Sequence, residues 1–139
     1  KNLVLPGCGR VTIVDAGIVT EGDMGNNFFV TPEDLGKPRA QAVLENLLEM
    51  NDDVKGDWRQ DDPATVIATE PEFFRGFSLV VATQMPHGKV TAALAATCWE
   101  ANVPLIFART CGLLGYARVV CREHRIVEAK PDNEAPDLR

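Results

Sequence analysis

Val11-Thr12-Ile13-Val14-Asp15-Ala16-Gly17-Ile18-Val19, then Gly25-Asn26-Asn27-Phe28-Phe29, then Leu35-Gly36-Lys37-Pro38-Arg39-Ala40 is the stretch whose reading decides the fold. Val11 to Val14 is β-branched throughout and stops at an acid followed by a small turn, which predicts a short strand. After Ala40, the apolar residues Val43, Leu44, Leu47 and Leu48 recur at helical spacing, with Gln41, Glu45 and Glu49 on the other side. That pattern predicts a helix closed by Asn51-Asp52-Asp53. The connection between strand and helix carries two helix starts. Thr31-Pro32-Glu33-Asp34 offers a cap residue, a proline and two acids facing the helix dipole, and Lys37-Pro38 offers a second proline. In α/β folds ligands gather at the carboxyl ends of such strands, so Asp15 and the connection after it are the first place to look for function.

Outward from this stretch the pattern alternates. Val54 to Trp58 reads as a weak strand, and Asp61-Asp62-Pro63 starts a helical piece reaching Thr69. Phe73, Phe74 and Phe77 are expected to pack near a turn at Gly76. Ser78 to Ala82 is apolar without alternation, as for a parallel strand covered on both faces. Pro86 opens an Ala- and Leu-rich helix through Ala101, expected to be well covered, and Asn102-Val103-Pro104 stops it. Leu105 to Ala108 is the next strand. Gly112 to Val120 and Arg125 to Glu128 follow as consecutive strands with no helix between, hence antiparallel. The expected fold is α/β, with a mostly parallel sheet, helices on both faces and antiparallel strands at the C-terminal end. It spans residues 1–130, with 131–139 as a polar exit segment or linker. Upstream, Lys1 to Leu5 with Pro6-Gly7 reads as the last turn of a helix and its stop signal. With no Met and no preceding strand, the sequence reads as a piece of a longer protein, incomplete at the N-terminus.

The totals narrow the function classes. With 139 residues there is material for one domain and one core. A net charge of -6 argues against a nucleic-acid or anionic-membrane surface, both of which need clustered Lys and Arg. No apolar run approaches the ~20 residues that span a bilayer. Cys8, Cys98, Cys111 and Cys121 are scattered, without a Cys-x-x-Cys pair, which points away from zinc and from a disulfide framework and towards a reducing compartment.

Few motifs carry chemistry. Gly7-Cys8-Gly9 contains a Gly-x-Gly, but it follows a helix end and precedes a strand, the reverse of a phosphate-binding loop. Asp15 either binds a ribose hydroxyl, as an acid at such a strand end does in dinucleotide-binding folds, or bonds local backbone in the Asp15-Ala16-Gly17 turn. Asn26-Asn27-Phe28-Phe29 suits either a protein contact or packing over the sheet edge. His87 and His124 lack partners and read as surface residues. Cys111 lacks the neighbouring base that a catalytic thiol needs.

Asp15-Ala16-Gly17-Ile18-Val19, Asn26-Asn27-Phe28-Phe29, Gly36-Lys37-Pro38-Arg39-Ala40, Val80-Val81-Ala82-Thr83-Gln84 and Val103-Pro104-Leu105-Ile106 occur in an order that resembles the ubiquitin-like-protein activating enzymes. Their adenylation domains share the Rossmann-like, ThiF-type fold of bacterial thiamine and molybdopterin adenylyltransferases. Asn2-Leu3-Val4-Leu5-Pro6-Gly7, Thr110-Cys111-Gly112-Leu113-Leu114-Gly115-Tyr116 and Pro131-Asp132-Asn133 extend the resemblance towards the non-catalytic subunits of heterodimeric neddylation-activating enzymes. The resemblance covers nearly the whole chain.

Active members of this family adenylate a C-terminal glycine carboxylate, and the resemblance implies which of their groups this chain lacks. The acid that binds the ATP ribose corresponds to Gly17, which has no side chain. The arginine on the phosphates corresponds to Asn26, which is neutral. The lysine of the Gly-Lys-Pro-Lys segment is Arg39, which keeps the charge without the point-charge geometry. The acid that holds magnesium is Gln84, a neutral carbonyl where magnesium prefers carboxylate oxygen. The resemblance therefore implies a pseudo-enzyme subunit with no catalytic residue and no cofactor or metal of its own. ATP and magnesium are expected on a catalytic partner subunit, and a ubiquitin-like modifier is expected to be reached through the complex. Partner contacts are expected at Val11, Ile13, Asp15, Ile18, Asp23, Met24, Asn27, Phe28 and Phe29. The implied location is the cytoplasm and the nucleus. It also implies a strand, before Lys1, between the Val11 and Leu79 strands, so this chain alone is expected to be marginal. The alternatives are an active ATP-dependent adenylyltransferase of the same fold and a dinucleotide-binding oxidoreductase domain.

Overall fold

The computed structural model describes residues 1–85 and 88–126, which form two units divided between Pro71 and Glu72. The first unit contains β1 (Arg10–Val14), α1 (Glu21–Met24), a 3-10 turn at Pro32–Asp34, α2 (Arg39–Leu48), β2 (Lys55–Arg59) and α3 (Pro63–Thr69). β1 and β2 are parallel, in register from Arg10 opposite Lys55 to Val14 opposite Arg59. Parallel neighbours need a crossover, and α2 supplies it. Its Ala40, Ala42, Leu44 and Leu47 are buried. Gly56 in β2 makes the close approach possible: a Cβ there would stand 2.6 Å from Leu48 Cδ1 and 2.8 Å from Leu44 Cδ1.

Two apolar clusters fill this unit. Val4, Leu47 and Val54 gather Val11, Ile13, Phe29 and Leu48, while Val19, Val30 and Ala42 gather Met24 and Val43. The N-terminal segment ends as a Schellman turn, with Gly7 at φ +88°, its N–H on the Val4 carbonyl and the Cys8 N–H on the Leu3 carbonyl. Asn51 Nδ2 donates to the Val4 carbonyl at 3.0 Å and ties this turn to the end of α2. Of the two helix starts before α2, Thr31 yields only the 3-10 turn. Gly36, at φ +81°, breaks the chain direction, and the helix begins beyond Pro38.

The second unit contains a 3-10 stretch ending at Gly76, β3 (Val80–Thr83), α4 (Lys89–Glu100), β4 (Leu105–Cys111) and β5 (Leu114–Val120). β3 and β4 are parallel, and β5 turns back antiparallel on β4 across Gly112, at φ +57°. Asn102, at φ +56°, closes α4 in a second Schellman turn: its N–H reaches the Trp99 carbonyl and the Val103 N–H reaches the Cys98 carbonyl. Leu94, Cys98 and Leu105 are fully buried. The aromatic group is edge-to-face, Phe73 with both Phe74 and Phe77.

The α/β class holds, with parallel strands and an antiparallel strand at the C-terminal end, and several details differ from expectation. The ladders form two sheets, β1–β2 in the first unit and β3–β4–β5 in the second. The antiparallel pair is β4 with β5; Arg125 and Ile126 belong to no strand. β3 is not covered on both faces, since Ala82 is buried while Val81 is 43% exposed. Likewise α4 buries only one side, Leu94 and Cys98, and leaves Trp99 exposed. The expectations at Pro86, His87 and residues 127–139 lie outside the described residues.

Candidate functional site at the end of β1

Asp15 follows β1 directly, and its backbone N–H still donates to the Arg59 carbonyl at 3.1 Å. Its carboxylate folds back over the turn. Oδ1 accepts the Gly17 N–H at 2.7 Å, the local bond anticipated from the turn composition. Arg39, the first residue of α2, then grips both oxygens, Nε to Oδ2 at 2.8 Å and Nη2 to Oδ1 at 3.0 Å. The same guanidinium reaches Asp23 in α1, Nη1 to Oδ1 at 3.0 Å. Asp23 Oδ2 in turn accepts the Thr20 N–H and hydroxyl at 2.8 and 2.7 Å. Three elements are thus pinned by one planar cation whose fork geometry suits carboxylates.

The electrostatics follow from this arrangement. Burial opposes ionisation of Asp15, but the Arg39 and Gly17 hydrogen bonds outweigh it and hold the carboxyl below its usual range. Asp23 is lowered by the Thr20 hydroxyl and amide and further by Arg39. Arg39 is raised, first by its hydrogen bond to Asp15. The guanidinium also lies against the backbone of Gly17. A Cβ on Gly17 would stand 2.5 Å from Arg39 Nη2 and 2.7 Å from Cζ, so this position accepts no side chain while Arg39 stays in place.

A second Thr-x-x-Asp box stands before α2. Asp34 is buried; its Oδ2 accepts the Thr31 N–H and hydroxyl, both at 2.9 Å, and Asn46 Nδ2 at 3.0 Å, while Oδ1 takes Lys37 Nζ at 2.8 Å. Asn46 also donates to the Phe29 carbonyl at 2.8 Å. The Lys37 ammonium, followed by the Thr31 amide, holds the Asp34 carboxyl far below its usual range.

The nine residues expected at a partner contact sort into three kinds. Val11, Ile13, Phe29 and Met24 are half-buried against the unit's own apolar clusters. Asp15, Asp23 and Asn27 make local bonds, Asn27 Oδ1 accepting the Phe29 N–H at 3.0 Å. Ile18 and Phe28 stand out, 51% and 80% exposed. Exposed Leu35, Leu3 and Leu5 belong to the same unit and were not anticipated. Nor was the Arg39 cluster, although the repeated Thr-x-x-Asp spacing at Thr20–Asp23 and Thr31–Asp34 is a readable signal for two anchored turns.

In the second unit, Gln84 follows β3 with φ +53°. Its N–H donates to the Ala108 carbonyl at 3.0 Å. Its side-chain amide donates to the Thr110 carbonyl at 3.2 Å and accepts the Thr110 N–H at 3.0 Å. The side chain thus imitates a peptide group and prolongs the β3–β4 ladder. A cavity of about 460 Å³ in this unit is lined by Phe107, Arg109, Tyr116 and Arg118 among others, and nothing in the sequence had pointed to it.

Among the described residues no group of three His, Cys, Asp or Glu side chains could hold a metal ion, and no helix is long and apolar enough to cross a membrane. His124 is exposed. Cys98 is buried, which pushes its thiol up, whereas Cys111 is exposed rather than built into the core.

With this geometry, the chain belongs to the ThiF family, which it matches over residues 1–137. Over all 139 residues it is 48% identical to the NEDD8-activating enzyme E1 regulatory subunit of Gallus gallus and 45% identical to that of Xenopus laevis. It spans about a quarter of the length of those relatives, 26% in each case. Its fold is similar to that of the selenomethionine PaaA crystal structure, with a TM-score of 0.64 over 73% of this chain and 32% of that one; at 15% identity this is a likeness of fold alone.

Proposed function

We propose that the chain is the ThiF-type region of a non-catalytic, regulatory subunit, which pairs with a catalytic subunit to activate a ubiquitin-like modifier of the NEDD8 kind. The observation that carries this reading is the Arg39 cluster. In active adenylating domains, by resemblance, the position of Gly17 holds an acid for the ribose and that of Arg39 a lysine for the nucleotide. Here Gly17 offers no acceptor, and Arg39 spends its guanidinium on Asp15 and Asp23 in the space a side chain at Gly17 would need. Asn26, exposed, brings no positive charge to a phosphate. At the magnesium position, Gln84 spends both ends of its amide on the Thr110 backbone. These groups do not fit a magnesium nucleotide, and the side chains of Arg39 and Gln84 are occupied with holding structure.

In this reading ATP and magnesium belong to the partner subunit, the modifier is reached through the complex, and the heterodimer works in the cytoplasm and the nucleus. The exposed Ile18 and Phe28, beside Asp15, Asp23 and Asn27, are the surface offered to the catalytic subunit. Aromatic and aliphatic anchors next to satisfied polar groups are the composition of such interfaces. The test is ATP–pyrophosphate exchange in the presence of the modifier, with the full-length chain alone, the catalytic subunit alone and the two together. Exchange by the pair and none by the chain alone is the expected result. Exchange by the full-length chain alone would reinstate it as an active adenylyltransferase.

A further inference from the structure

Ile18 and Phe28 lie on separate loop segments, and each traces back to the same guanidinium. Towards Ile18, Arg39 holds Asp15, Asp15 holds the Gly17 N–H, and the Arg39 N–H itself donates to the Gly17 carbonyl at 2.9 Å. Ile18 then bridges Pro38, and the Val19 N–H donates to the Lys37 carbonyl at 2.9 Å. Towards Phe28, Arg39 holds Asp23, whose backbone carbonyl accepts the N–H groups of Asn26 and Asn27 at 3.1 and 2.7 Å. Asn27 fixes the Phe29 N–H, and the Phe28 and Phe29 rings meet edge-to-face at 5.4 Å between centroids. Without Arg39, two carboxylates would face each other across the gap with no charge to hold them together.

We infer that Arg39 is a positioning residue for subunit pairing, a latch that holds the exposed Ile18 and Phe28 in one arrangement for the catalytic subunit. The inference rests on the reading of that surface as the partner contact. Ordering side chains and loops during docking costs affinity, and a surface ordered beforehand avoids that cost. The latch needs the planar fork of arginine, because a lysine ammonium on its flexible stem cannot match the bidentate hold on Asp15 while reaching Asp23. It also needs Gly17, since a methyl group there takes the place of the guanidinium.

The experiment measures the dissociation constant of the full-length chain and the catalytic subunit. Arg39→Gln is expected to weaken binding roughly tenfold, a typical size for a coupled network, and Gly17→Ala to weaken it similarly. The double variant should lose less than the product of the two single losses, because a methyl at Gly17 meets the Arg39 guanidinium first and Asp15 Oδ1 only at 3.0 Å. Arg39→Lys should fail to restore wild-type affinity. The thermal midpoint of Arg39→Gln falls too, because Asp15 and Asp23 lose their shared cation, so affinities are compared at a temperature where every variant is folded. Wild-type affinity in Arg39→Gln, or losses that multiply in the double variant, would overturn the inference. Gly17→Ala carries the test on its own if Arg39→Gln fails to fold. Phe28→Asp and Ile18→Asp separate the two claims. If they abolish binding and the Arg39 and Gly17 variants do not, the latch alone is wrong. If they leave binding unchanged, the surface is not the contact and the latch falls with it.

Discussion

The connection between β1 and α2 uses one device twice, with different surroundings. At Thr31–Asp34 the carboxylate is buried, and its partners Lys37 and Asn46 are its sequence neighbours or lie on α2. At Thr20–Asp23 the same turn is half-open, and the remaining oxygen goes to Arg39, which is shared with Asp15. The first box fastens the chain onto its own core, since Asn46 also holds the Phe29 carbonyl. The second shapes a surface. The contrast teaches that local sequence chooses the turn, while burial and the long-range partner choose what the turn is for.

Breaking the buried box should have the largest effect. Asp34→Ala leaves Lys37, Asn46 and the Thr31 N–H without their acceptor, and loss of a buried charged acceptor costs about 3 kcal/mol. Urea unfolding of the full-length chain, with hydrogen exchange on α2 to localise the change, checks it. Acid should reproduce part of the loss. The Asp34 carboxyl is lowered in the folded state, so its stabilisation is complete above the unfolded value, about 4. It is lost progressively as pH falls below that. Asp15 and Asp23 shift in the same direction and add to the same acid limb. In Asp34→Asn the acid limb should be flatter when unfolding is followed between pH 5 and pH 2, pH values chosen to bracket the carboxylate range.

The smallest effect on stability should come from the open box. Asp23→Ala is expected to shift the unfolding midpoint less than Asp34→Ala, yet to weaken binding of the catalytic subunit where Asp34→Asn does not. Equal effects of the two boxes on both measurements would erase the distinction drawn between them.

How much of this was legible in the sequence depended on range. The Val11–Val14 run and the spacing of Leu44, Leu47 and Leu48 fixed β1 and α2 because both signals are local. Thr31-Pro32 misled because Gly36, four residues on, takes a positive φ that ends the turn before a helix grows. The coverage of Val81 was not legible, since an apolar run states what can be buried and not what packs against it. At the site, Gly17, Asn26, Arg39 and Gln84 were visible as departures from a resemblance. The contacts that Arg39 and Gln84 make were not visible. Arg39 meets Asp15 across 24 residues and Gln84 meets Thr110 across 26, distances at which no pattern in one sequence specifies a pair.

The claim that the strand-end surface serves a partner and not a nucleotide has a direct test in hydrogen–deuterium exchange of the full-length chain, alone, with ATP and magnesium, and with the catalytic subunit. The account predicts protection of residues 17–29 by the catalytic subunit and none by the nucleotide. Protection of that segment by ATP alone, or its indifference to the catalytic subunit, would contradict it.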